Sequence, residues 1–205
     1  MTHPFHEGVA EALIVDARRG RVLNPYAFGV NGSPIERFDA AVEELFDMIR
    51  GRPLVDRVMY SVTEVADFSI LWHLLGVAEG LRRHDGFERA LRVSATLGVE
   101  SVLVNGGVKS LFRRVRPVPQ FERPHYLRIP RTSSFPSGHA SSAFVAAALL
   151  SDGSRLKPAY YALATMVAAS RIHVRIHHGS DVLGGIVVGV GLGALAKRVW
   201  RIAAS

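Results

Sequence analysis

Three short stretches of this chain carry side chains suited to one kind of chemistry. Lys109 stands seven residues before Arg116, which Pro117 follows. Pro136-Ser137-Gly138-His139 comes next, and then Ser170-Arg171 with His177 and Asp181 behind it. Together they supply cations at Lys109, Arg116 and Arg171, imidazoles at His139 and His177, a carboxylate at Asp181 and a helix start softened by Gly138. A guanidinium binds phosphate through paired N–H groups. A helix N-terminus offers free backbone N–H groups and the positive end of a dipole. A histidine transfers protons near neutral pH. The set therefore suits a phosphate group.

Each stretch by itself also has a plainer reading. At about 100° per residue, a seven-residue spacing returns Lys109 and Arg116 to one helix face. They could equally be two basic side chains snorkelling at a membrane edge. Ser137 stands where an N-cap belongs, and Gly138 admits a ligand close to the backbone, yet the block could be an ordinary helix start after a Pro-containing loop. His177 and Asp181, four residues apart, share a face if the helix begins by His177. A carboxylate on one ring nitrogen fixes the tautomer and makes the other a better nucleophile or base. The alternative is an Asp that caps a helix beside a solvated His. His173, His177, His178 and Asp181 could be read as a metal-ligand cluster, but no spacing among them matches a strong zinc signature, and no metal is expected. His73 reads as a hydrogen-bonded packing residue. Arg123, Arg128 and Arg131 read as a basic rim.

The elements that must position these residues are helical. The spacing predicts helices over 36–50, 55–81, 87–114, 137–150, 158–174 and 179–201, an all-α bundle of about six helices. Residues 1–35, with Arg18, Arg19, Arg21 and the turn Asn31-Gly32-Ser33-Pro34, are expected to be an irregular N-terminal segment, and 36–205 one helical domain. The connection over 118–135 is long enough to suggest a functional loop. In an antiparallel bundle the ends of the third and fifth helices and the starts of the fourth and sixth lie on one side, so the three stretches share one site. The chain has 205 residues, 48% apolar content and a net charge of +7, with mean hydropathy +0.17. A basic excess suits nucleic acid, anionic lipid or an anionic substrate; the apolar runs make nucleic acid the poorest fit. No uncharged run reaches the roughly 18 residues of a clean spanning helix. Even so, Gly184, Gly185, Gly189, Gly191 and Gly193 crowd the sixth helix, a composition that suits close packing of spanning helices. There are no cysteines, which excludes disulfides and thiolate metal sites. The first residues lack the pattern of a cleaved signal peptide. No sequence feature sets an oligomeric state.

Taken together, Lys-x6-Arg-Pro, Pro-Ser-Gly-His and Ser-Arg-x5-His-x3-Asp occur here in order and without mismatch. This resembles the type 2 phosphatidic acid phosphatase superfamily, over Lys109 to Asp181 by motif and roughly 36–200 by helical pattern. The resemblance implies a membrane-embedded bundle with the site at one interface. It implies a metal-independent phosphatase, without cofactor, acting on a membrane lipid phosphate or pyrophosphate. In that reading His177 is the nucleophile, Asp181 orients it, and His139 protonates the leaving oxygen. Lys109, Arg116, Ser137, Gly138 and Arg171 hold the phosphoryl oxygens. The layout and the Arg-rich 113–131 region look most similar to bacterial phosphatases of polyprenyl carriers in cell-wall assembly, such as decaprenylphosphoryl-phosphoribose phosphatase-like proteins. Location in a bacterial cell membrane, with an extracytoplasmic site, is the matching expectation. The rivals are a metal-dependent membrane hydrolase and a non-catalytic phospholipid-binding membrane protein.

Overall fold

The computed structural model describes residues 14–16, 21–23, 32–82, 86–118, 123–130 and 132–203. Arg18, Arg19, Asn31 and Arg131 and the extreme N-terminus, all read in the sequence, lie outside the described residues. Inside the segment expected to be irregular, strands β1 (Ile14–Asp16) and β2 (Arg21–Leu23) pair antiparallel. Among the described residues, everything after them is helical or looped. Among the described residues there are seven α-helices: α1 (Pro34–Asp47), α2 (Pro53–Val65), α3 (Ile70–Leu81), α4 (Gly86–Ser101), α5 (Gly138–Leu150), α6 (Lys157–His173) and α7 (Gly179–Ala203).

Local chemistry accounts for three of the helix starts. Ser33 and Glu36 form a reciprocal capping box, Ser33 N–H donating to Glu36 Oε2 at 2.7 Å and Glu36 N–H to Ser33 Oγ at 3.3 Å. Proline opens α1 and α2, where its missing N–H costs nothing. Ser137 caps α5, its Oγ accepting from Ala140 N–H.

Two expected helices are interrupted. The helix expected over 55–81 breaks after Val65, where a 3-10 turn (Asp67–Ser69) holds Phe68 at φ 54° and Ser69 at φ 59°. Two successive left-handed residues cannot carry the i→i−4 ladder. Neither is glycine, so apolar periodicity gave no warning. The second interruption is in the helix expected over 87–114. Beyond Ser101 it widens into a π-helical turn (Val102–Gly107), tightens into a 3-10 turn (Val108–Leu111) and then runs extended. The pair Gly106-Gly107 lies in this stretch and lowers its helix propensity.

The core surrounds α5, which packs on α4, α6 and α7. Ala140, Ala143, Val145, Ala146, Ala147, Leu149 and Leu150 are all buried, so this helix is covered on every side. Its contact with α7 is unusually close. A Cβ on Gly185 would lie 2.4 Å from Ser137 O, and one on Gly189 would lie 2.4 Å from Ser141 O. Only glycine lets the α7 backbone approach α5 to this distance. The segment Gly179–Trp200 of α7 is long and apolar enough to cross a membrane.

Candidate active site

The site lies where four chain ends converge: the extended segment after Leu111, the start of α5, the end of α6 and the start of α7. The starts of α5 and α7 are tied directly, Ser137 N–H donating to Asp181 O at 2.9 Å. The end of α6 is turned back on itself, with the N–H groups of Ile176 and His177 both donating to Arg171 O. These contacts fix the backbone that carries His177 before any side chain is considered.

Lys109 is buried, and its Nζ donates to Asn105 Oδ1 at 2.9 Å. A Cβ on Gly138 would lie 3.5 Å from that Nζ, so the ammonium sits against the first residue of α5. The expectation that Lys109 and Arg116 share a face of one helix needs correction. The helix has ended by Leu111, and Arg116 reaches the site from extended chain. Its guanidinium donates to the carbonyls of Pro130, Thr132, Ser133 and Ile176, and Nη1 lies 3.2 Å from His177 Nε2.

Arg171 is 1% exposed. Its Nη1 donates to Thr63 Oγ1 on α2, while Nε and Nη2 are buried without a hydrogen-bond partner. Buried donors normally find partners, so two unpaired donor nitrogens on one guanidinium mark a place prepared for an acceptor. His177 is also buried. Burial holds its pKa down, to about 3, and the nearby charges of Arg171 and Arg116 add to this against the opposing pull of Asp181. The ring is therefore neutral at physiological pH.

Asp181 stands in the first turn of α7, where both sequence readings meet in one residue. Its Oδ2 accepts from His178 N–H at 2.8 Å, as a capping group does. The same Oδ2 is 3.7 Å from His177 Nδ1, an ion-pair separation longer than a hydrogen bond. His177 Nδ1 accordingly has no hydrogen-bond partner.

Several residues that sequence reasoning left unassigned belong to this cluster. Arg114 Nη1 donates to Asp181 Oδ1 at 2.6 Å, and its Nη2 bonds Asp39 on α1. Asp39 also accepts from Ser180 N–H at 2.7 Å and from Ser180 Oγ. His139 Nε2 lies 2.7 Å from Asp67 Oδ1 in the turn between α2 and α3. Arg114 stands inside the first motif and Asp67 interrupts an apolar run; those were the only signals in the sequence. The suggested metal cluster is drawn apart, with His173 Nε2 on Asp56 Oδ1 at 2.8 Å and His178 Nε2 beside Val115 O. His73 packs as expected, Nδ1 2.9 Å from Ser94 Oγ. Arg123 donates to the carbonyls of Val174 and Arg175, and Arg128 stacks 4.6 Å from the Phe68 ring centre.

The PAP2 superfamily model matches residues 89–203, more than half of the chain, and the chain belongs to that family. It is 36% identical over 95 residues to the decaprenylphosphoryl-5-phosphoribose phosphatase of Mycobacterium tuberculosis (strain H37Rv), a match covering 45% of this chain and 51% of that protein. The chain thus matches about half the length of this curated relative. Among solved structures it resembles the transmembrane PAP2-type phosphatidylglycerolphosphate phosphatase of Bacillus subtilis, with TM-score 0.62, 26% identity, and 86% and 90% of the two chains covered. It also resembles LpxE of Aquifex aeolicus, with TM-score 0.61, 28% identity, and 76% and 93% covered. The family read from the three motifs and the helical bundle read from the apolar spacing both hold, with the short β1–β2 pair as the departure from an all-α chain.

Proposed function

We propose that this chain is a membrane-embedded, metal-independent phosphatase that removes phosphate from a polyprenyl-type lipid phosphate through a phosphohistidine. The observation that carries this reading is the pair of buried, unpartnered donors on Arg171, in a cluster with Arg116 and His177. Membership of the family and the name of the mycobacterial relative support the substrate class. Exposed apolar side chains on α3, α4 and α7, among them Leu74, Leu81, Val99, Val187 and Leu195, support lipid around the bundle.

In this reading the phosphoryl oxygens take the free donors of Arg171, the ammonium of Lys109, the guanidinium of Arg116 and the N-terminal groups of α5 at Ser137 and Gly138. His177 Nε2 attacks phosphorus with its lone pair while Nδ1–H faces Asp181. The bond from phosphorus to the lipid oxygen breaks, and His139 gives that oxygen a proton. Water then attacks the phosphohistidine, His139 takes the water proton back, the P–N bond breaks and phosphate leaves. Phosphate esters hydrolyse very slowly unaided, and positioned cations stabilise the charge that builds up in transfer. The basic residues Arg82, Arg89, Arg155, Lys157, Lys197 and Arg198 lie on the face away from the site. By the positive-inside rule they favour a site on the extracytoplasmic side of a bacterial cell membrane.

The test is phosphate release in detergent from polyprenyl monophosphate, polyprenyl pyrophosphate and phosphatidic acid, with excess chelator, beside His177→Ala. We expect chelator-resistant release, fastest on a polyprenyl substrate and lost by at least about 10³-fold in the variant. Release that requires added metal would sink the mechanism and favour the metal-dependent rival. Undiminished release by His177→Ala would sink the assignment of the nucleophile.

A further inference from the structure

The break between α2 and α3 has no local cause. No proline or glycine stands at Asp67-Phe68-Ser69, yet two residues in succession take the left-handed conformation. A non-glycine residue in this conformation is strained and persists only where its surroundings hold it. Here the surroundings are visible: Asp67 Oδ1 meets His139 Nε2 at 2.7 Å, and Arg128 stacks on Phe68. A straight helix over 55–81 would carry Asp67 as one more residue of a regular turn. The broken one turns its carboxylate onto the histidine at the start of α5.

The location of this pair matters. His139 follows Gly138, whose position lies against Lys109. The Arg171 guanidinium is held by Thr63, four residues before Asp67. A protonated imidazole among these cations is repelled, and a carboxylate in direct contact offsets that repulsion. A carboxylate on one ring nitrogen also decides which nitrogen carries the exchangeable proton.

Resting on the phosphatase reading above, we propose that Asp67 is a positioning residue for proton transfer by His139. It accepts from Nε2–H throughout the cycle and stays ionised. Nδ1 is then the nitrogen that loses its proton to the leaving oxygen as the P–O bond breaks, and that regains one from the attacking water. Asp67 touches neither substrate nor phosphate. It acts through the imidazole alone.

The experiment exploits the leaving group. A lipid alkoxide needs a proton to depart, whereas p-nitrophenolate leaves without one. The values of kcat/KM are measured on a polyprenyl phosphate and on p-nitrophenyl phosphate for wild type, Asp67→Asn, His139→Ala and the double variant. Positioned proton transfer contributes about 10²–10⁴-fold, and we expect Asp67→Asn to forfeit about 10- to 100-fold of it on the lipid ester. The loss on the aryl ester should be at least about ten-fold smaller, and the double variant should be no worse than His139→Ala, because one group acts through the other. Equal losses on both esters would mean a merely structural Asp67, and so would losses that multiply with those of His139→Ala; no loss at all would overturn the proposal directly. If His139→Ala itself falls equally on both esters, the acid assignment fails, a result distinguishable from failure at Asp67 alone.

Discussion

Arg171 shows how a single side chain can report a ligand. It is buried, anchored at Nη1 by Thr63, and left with two donors unpaired. Leaving buried donors unmade costs roughly 1–3 kcal/mol per group, a cost offset when phosphate oxygens arrive. Lysine cannot supply the same planar fork. Arg171→Lys should therefore lower kcat/KM on lipid phosphate by about 10²-fold or more, on the scale of removing one transition-state donor. Activity within a few-fold of wild type would show that the fork is not used. His177 carries a second residue-scale prediction. Its pKa is held down from 6.5 to about 3 by burial. Between those values the unfolded chain binds more protons there than the folded one, so stability contributed at neutral pH is lost as pH falls from about 6.5 towards 3. In thermal unfolding, wild type should lose more stability between pH 7 and pH 5 than His177→Asn; parallel curves would contradict the depressed pKa.

At the scale of elements, the site depends on α7 lying against α5. Leucine at Gly189 would put side-chain atoms where Ser141 O and Phe144 Cβ already lie 2.4 and 3.0 Å from a first carbon. Overpacking of this kind costs about 1–3 kcal/mol. Gly189→Leu should lower the Tm in detergent and reduce activity, because it separates the starts of α5 and α7. Gly191→Leu is the control: nothing stands within 4 Å of its added carbon, and its Tm should match wild type. A second element-scale dependence runs through α1. Asp39 holds both Ser180 and Arg114, and Arg114 holds Asp181. The amphipathic first helix thereby steadies the carboxylate beside the nucleophile from outside the motifs.

For the whole molecule, the distribution of apolar surface is the telling property. Leu54, Leu81, Val102, Val187 and Leu195 are exposed on several helices while the charged cluster is buried. A soluble fold of this size rarely leaves such surface to water. The protein should stay with the membrane fraction through an alkaline carbonate wash; recovery in the soluble fraction would contradict insertion.

The sequence by itself determined the helical class, the three motifs and the residue types of the phosphate cluster. Helix periodicity and capping are local, and charged residues at the ends of apolar runs are visible without a fold. It also marked Pro117 and Ser137 as boundaries, because proline and an N-cap serine act on their own backbone. The tertiary structure alone decided how the cluster closes. Arg116 comes from extended chain, because the helix gives way to the turns over 102–111 and ends there instead of running on towards Pro117. Asp67, from the turn between α2 and α3, and Asp39, from α1, enter from far away in sequence, through contacts 72 and 141 residues apart. Such long-range pairs leave no periodic trace, since each is a single polar residue whose partner is chosen by packing rather than by neighbours in the chain.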